Sequence, residues 1–180
     1  MSPNNPVNVV LCWHMHQPQY QDQLSKRFAL PWVYLHAIKD YIDMAVVIEK
    51  NPKAKAVVNF APVLLEQIDA YIQQFDGYLN DGITFKEPML EALSSHVLSG
   101  SAEFRLDIIK QCLRSNEERL IQRFAPYSEL VDIAKAINRH PYRAIYLTDQ
   151  YYFDLLVWYH LAWLGETVRM DNKHIQFLIG

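Results

Sequence analysis

Residues 7–18, VNVVLCWHMHQP, constrain the fold of this chain more than any other stretch. An apolar run closed by a proline reads as a buried β-strand over 7–17. Pro18 cannot donate to a sheet ladder and pushes Gln17 out of the helical region, so pairing is expected to end there. Side chains alternate along a strand, which puts Cys12, His14 and His16 on one face and Trp13 and Met15 on the other. A single histidine in an apolar run is ordinarily a satisfied core residue. Two rings on one face, followed at once by Gln17, are different, because two imidazoles and an amide cannot all satisfy one another in a buried site. A polar ligand would supply the missing partners. The C-terminal ends of strands are also where β/α proteins bind ligands.

The first half of the chain alternates strand and helix. Trp32 opens a helix whose apolar positions Val33, Ala37, Tyr41, Met44, Ala45 and Ile48 recur at helical spacing, and Asn51-Pro52 stops it. The strand AVVNF follows, ending near Asn59, and Pro62 starts a helix through Leu64, Leu65, Ile68, Tyr71 and Ile72. This order predicts parallel strands in one sheet. From about residue 76 the pattern is helical. One long helix is expected from Phe104 to Phe124, capped near Ser101, and another behind Ser128. A third, from Thr148 through DQYYFDLLVWYHLAWLG, is apolar almost all round and so buried, with Gly165 as its terminator. Its aromatics Tyr151, Tyr152, Phe153, Trp158, Tyr159 and Trp163 read as core. AIYL and the closing HIQFLIG are the remaining candidates for a strand or a buried segment. The expected division is 1–75 for two β/α units and 76–180 for a helical region returning to them.

A formal charge of −3 with 51% hydrophobic residues describes a globular protein without the basic footprint of a nucleic-acid or membrane-surface binder. Nucleic acid and membrane are therefore not expected partners. Cys12 and Cys112 are far apart and read as free thiols in a reducing compartment, and the opening residues lack a signal-peptide pattern, so a cytoplasmic location is expected.

The runs CWHMHQPQY, LPWVYLHAIKDYIDMA and KAVVNFAPVLLEQI closely resemble the opening of glycoside hydrolase family 57, whose first signature is a strand-ending His-Gln-Pro. TDQYYFDLLVWYHLAWLG is similar to a helical segment of its amylase-like members. The resemblance implies the N-terminal portion of a seven-stranded β/α barrel with a helical excursion, α/β by strand content but helix-rich. It implies a retaining enzyme on α-glucans, of α-amylase, glucanotransferase or branching type, without a cofactor. Retention needs two carboxyl groups about 5 Å apart. In the family these lie on later strands. Here Glu66, Asp69, Glu87, Glu91, Glu103, Asp107, Glu117 and Glu118 fall on helical polar positions and are expected to be solvated. The chain thus reads as part of a longer catalytic domain, inactive alone and prone to self-association through an uncovered sheet edge.

His16 and Gln17 match the signature and are expected to hydrogen-bond sugar hydroxyls. His14 shares their face, and Asn59 faces the same side if the strands are parallel. Trp32 either stacks on a sugar or staples its helix. His36 and Asp40, four apart, either support the site from behind or form a surface pair. Two rival readings stay open. A strand-ending His-x-His with Cys12 on the same face suits a zinc hydrolase, although Gln17 stands where a carboxylate ligand would be expected. The other rival is a non-catalytic helical binding module.

Overall fold

The computed structural model describes residues 9–95 and 101–180. Strand β1 spans Leu11–Met15 and β2 spans Ala56–Phe60; they pair in parallel, with His14 opposite Asn59 and Met15 opposite Phe60. β1 is shorter than expected. Residues 7 and 8 lie outside the described residues, Val9 and Val10 are unpaired, and His16 and Gln17 run past the ladder. The reason is the partner: β2 is confined between Asn51-Pro52 and Pro62, so it offers five residues to pair with. Among the described residues the sheet has two strands.

The crossover between the strands is helical, formed by α1 (Trp32–His36), a π-helical turn (Ala37–Tyr41) and α2 (Ile42–Glu49). Trp13, Met15, Val58 and Phe60 face Tyr41, Met44, Ala45 and Ile48 across a partly filled gap. The opposite face, bearing Cys12, His14 and Asn59, is open, and Val57 on it is 54% exposed. The expectation of a buried strand is thus corrected, since only Met15 of β1 is buried. A parallel sheet is buried when helices cover both faces, and among the described residues they cover one.

Helix α3 (Pro62–Asp81) starts on a proline, where the missing N–H costs nothing, and ends on Gly82 at φ +68, a conformation that favours glycine. It runs through residues 75 and 76, so the division expected there falls inside a helix. After α4 (Pro88–Ser94) comes α5 (Ala102–Cys112), capped as expected by Ser101, whose Oγ accepts the Phe104 N–H at 3.3 Å. The single helix expected through Phe124 is broken. Asn116 is extended and accepts the Arg119 N–H at 2.8 Å, starting a separate π-helical turn, Glu117–Ile121. Helix α6 (Ala125–Arg139) begins ahead of Ser128 because Pro126 occupies its first turn. AIYL is not a strand but falls in and after a 3-10 turn, Pro141–Tyr146, opened by proline.

Helix α7 (Asp149–Trp163) is capped by Thr148 and packs against α1, α4, α5 and α6. Tyr151, Tyr152, Tyr159 and Trp163 are buried, while Phe153 and Trp158 pack on the core from its margin. The chain closes with α8 (Glu166–Asp171) and α9 (Lys173–Ile179). HIQFLI, expected as a strand or buried segment, is therefore helical, and Phe177 in it is exposed. The local cause is Asn172, whose side chain accepts the His174 and Ile175 N–H groups at 3.0 and 3.1 Å and caps the helix.

Gly165 does follow α7, but not as a left-handed terminator, since its φ is −58. A Cβ there would lie 2.7 Å from Asp43 Oδ1. That carboxylate accepts the N–H groups of Glu166 and Thr167 at 2.8 and 3.0 Å and the Thr167 hydroxyl at 2.6 Å. The Gly165 N–H donates to the Ile38 carbonyl of the first π-helical turn at 2.9 Å. Close approach, not turn geometry, is what requires glycine, and it ties the second half of the chain to the crossover.

Candidate functional site

The parallel register places His14 directly across from Asn59, and His14 Nδ1 lies 2.7 Å from Asn59 Oδ1. An amide oxygen only accepts, so Nδ1 carries the proton and donates. In the neutral ring this leaves Nε2 as an acceptor with no hydrogen-bond partner among the described residues. Asn59 keeps its two amide N–H donors. The His16 ring stacks parallel to that of His14, with centroids 6.0 Å apart and 11° between the planes. His16 makes no hydrogen bond among the described residues, and Gln17 follows it, half-buried, before Pro18. His14, His16 and Asn59, at the C-terminal end of the two strands, thus present unpaired donors and acceptors on one open face, with Gln17 next in the chain. Such a set suits a ligand with adjacent hydroxyl groups, each of which both donates and accepts.

Trp32, His36 and Asp40 lie elsewhere. The Trp32 ring packs on Trp163 at 5.9 Å, and His36 meets the same indole edge-on at 5.6 Å. His36 Nδ1 bonds Asp40 Oδ2 at 2.6 Å, and Lys39 Nζ reaches the other oxygen at 2.6 Å. Partial burial pushes the Asp40 carboxyl up, but the bonds from Lys39 and His36 outweigh it and hold it below the usual range. Trp32 and His36 join α1 to α7, Asp40 holds the His36 ring, and none of the three makes a hydrogen bond or ring contact with the histidine pair among the described residues.

The acidic residues decide what chemistry the open face can do alone. All 20 Asp and Glu residues fall among the described residues, and none lies on β1 or β2. No paired carboxyl groups stand beside His14. Nor do three His, Cys, Asp or Glu side chains converge to hold a metal ion among the described residues.

Two titratable residues escaped the sequence reading. Glu87, expected on a solvated face, is 1% exposed, and its Oε2 accepts the Leu90 N–H at 2.8 Å to cap α4. Burial pushes its carboxyl up to about 7 against the pull of the Leu90 and Met89 N–H groups. The signal was there in Glu87-Pro88, an acceptor followed by proline at a helix start. His160, within the aromatic run of α7, donates from Nδ1 to the Leu156 carbonyl at 2.7 Å and accepts the Tyr34 hydroxyl at Nε2 at 2.9 Å. Burial pushes its ring down to about 4.

Compared with known proteins, residues 10–176 match the family model described as Glycosyl hydrolase family 57. No curated protein and no solved structure matches the chain.

Proposed function

The chain belongs to glycosyl hydrolase family 57, and from that premise we propose that its open sheet face binds the sugar units of an α-glucan next to the bond that is cleaved or transferred. Membership makes it a glycoside hydrolase or transglycosylase of carbohydrate metabolism, with a carbohydrate substrate. The observation that carries the finer reading is the in-register bond between His14 and Asn59 beside the stacked ring of His16. His14 Nε2 accepts a sugar hydroxyl proton, Asn59 donates to the neighbouring oxygen, and His16 and Gln17 extend the same contacts past the ladder. Trp32, His36 and Asp40 serve the face only indirectly, by fixing α1 against α7.

The glycosyl transfer itself requires two carboxyl groups about 5 Å apart, one forming the glycosyl ester and the other protonating the leaving oxygen. No acid of this chain stands on a strand, so in this reading both come from residues outside it. The uncovered face supports the same reading: further strands of a β/α barrel would enclose the histidines and exclude water, strengthening each hydrogen bond. The chain alone is accordingly a binding element that contacts copies of itself through its uncovered sheet edge rather than through that face, in the cytoplasm. Incubation with amylose and maltooligosaccharides tests this. Binding without turnover is expected, and turnover by the 180 residues would contradict the assignment of the carboxyl groups.

A further inference from the structure

Beyond the histidines the chain continues with glutamine at alternate positions: Gln17, Gln19, Gln21 and Gln23. Gln19, Gln21 and Gln23 form one wall of a cavity of about 460 Å³ whose other wall is the outer side of α3. That volume is in the range of small-ligand sites. The two walls are bolted together by Gln67, 1% exposed, which accepts the Tyr20 N–H at 2.8 Å and donates to the carbonyls of Pro18 and Val63 at 2.9 and 3.0 Å. With every polar atom of Gln67 used, the groove is preformed.

Its chemistry is specific. Glu66, Asp69 and Gln73, at one-turn spacing on α3, line it and make no hydrogen bond to any group among the described residues. Lys26 and Lys86 line it too, so two carboxylates are balanced by two ammonium groups and neither a polyanion nor a polycation is favoured. Ala70, Gly77 and Ile83 also line it, and Ile83 is 57% exposed. A lining that mixes apolar surface with amides and carboxylates matches a pyranose, which offers C–H groups on its faces and hydroxyls around its edge. Gln19 follows Gln17 by two residues, at most about 7 Å of chain.

We propose that this groove is a second binding stretch for a neutral, hydroxyl-rich chain, holding sugar units of the same glucan beyond those at His14. The inference rests on the proposed reading of the histidine face, and the test separates the two. Backbone amide spectra of the whole chain are recorded with maltose and with maltoheptaose, for the wild type and for Glu66→Ala/Gln73→Ala. Maltoheptaose is expected to shift Gln19, Gln73 and Ile83 as well as Asn59. The double variant is expected to bind it at least fivefold more weakly, with maltose affinity and the remaining spectrum unchanged. Shifts at Asn59 with none at Gln73 or Ile83 would overturn the groove and leave the histidine face standing. Shifts at the groove without Asn59 would support the groove and overturn that face. Silence at both would overturn both.

Discussion

His14 and Asn59 face each other across two parallel strands with Nδ1 and Oδ1 2.7 Å apart, on the side of the sheet that no helix covers among the described residues. The bond fixes which imidazole nitrogen is free. It also makes Asn59 a positioning residue for His14 as well as a contact in its own right.

Asn59→Leu removes that bond and the amide donors while leaving an exposed strand position β-compatible. Maltooligosaccharide affinity is expected to fall about tenfold, about 1.4 kcal/mol. Thermal stability should move by less than about 0.5 kcal/mol, as for most exposed sites. Calorimetric titration and a melting curve on the same sample check both. Unchanged affinity would remove Asn59 from the site.

Gly165→Ala is expected to destabilise the protein by about 1–3 kcal/mol, the usual range for overpacking. The Cβ would strike Asp43, which caps α8. Asp43→Ala should cost about 1–2 kcal/mol through the lost cap. In the double variant the clash with the carboxylate is gone and only the 3.0 Å approach to Ile42 Cγ2 remains, so the two effects should be clearly less than additive. Strict additivity in urea melts would mean that Gly165 matters for another reason.

Glu87 gives stability a pH dependence of known sign. Its folded pKa of about 7 lies above the ordinary 4.5, so the folded state holds the proton more tightly. Its contribution is full below 4.5 and is lost as pH rises through 7, a total of about 3 kcal/mol. His160 acts in the opposite sense, because its pKa is pushed down to about 4 from 6.5 and its contribution is lost as pH falls through that range. Glu87→Gln keeps the acceptor for Leu90 and cannot ionise. Its stability relative to the wild type should therefore rise between pH 4.5 and 7, whatever other groups do. A flat difference would place Glu87 in water.

Zinc is expected well below one atom per chain in protein purified without added metal. Gln17 stands where a carboxylate ligand would be needed, and no three His, Cys, Asp or Glu side chains converge to hold a metal ion among the described residues. One zinc per chain, removed by chelator together with sugar binding, would favour a metal-dependent hydrolase.

The features legible in the sequence were those set by local chemistry. Alternation put His14 and His16 on one face, Pro62 and Ser101 started their helices, and the apolar girth of α7 announced its burial. What misled was apolar content without context. VNVVLC and HIQFLI read as buried because they are apolar, yet burial depends on what covers a segment, and among the described residues helices cover only the Trp13 side of the sheet, leaving Val9, Val10 and Leu11 exposed. The break at Asn116 was hidden because leucines and isoleucines keep helical spacing across it. Gly165 was misread because the contact that requires glycine is with Asp43, 122 residues earlier, and Glu87 because its burial, unlike its local cap, is set by how the surrounding core packs. Nothing in local spacing reports those.

The most direct test of the account follows the ring nitrogens of His14 and His16 by long-range proton–nitrogen spectra while maltotriose is added. The account predicts that His14 Nε2 shifts as it gains a hydroxyl partner, that Nδ1 stays protonated on Asn59, and that His16 moves in step. If all four nitrogens stay unchanged at sugar concentrations that saturate binding, the open sheet face is not where this protein holds its glucan.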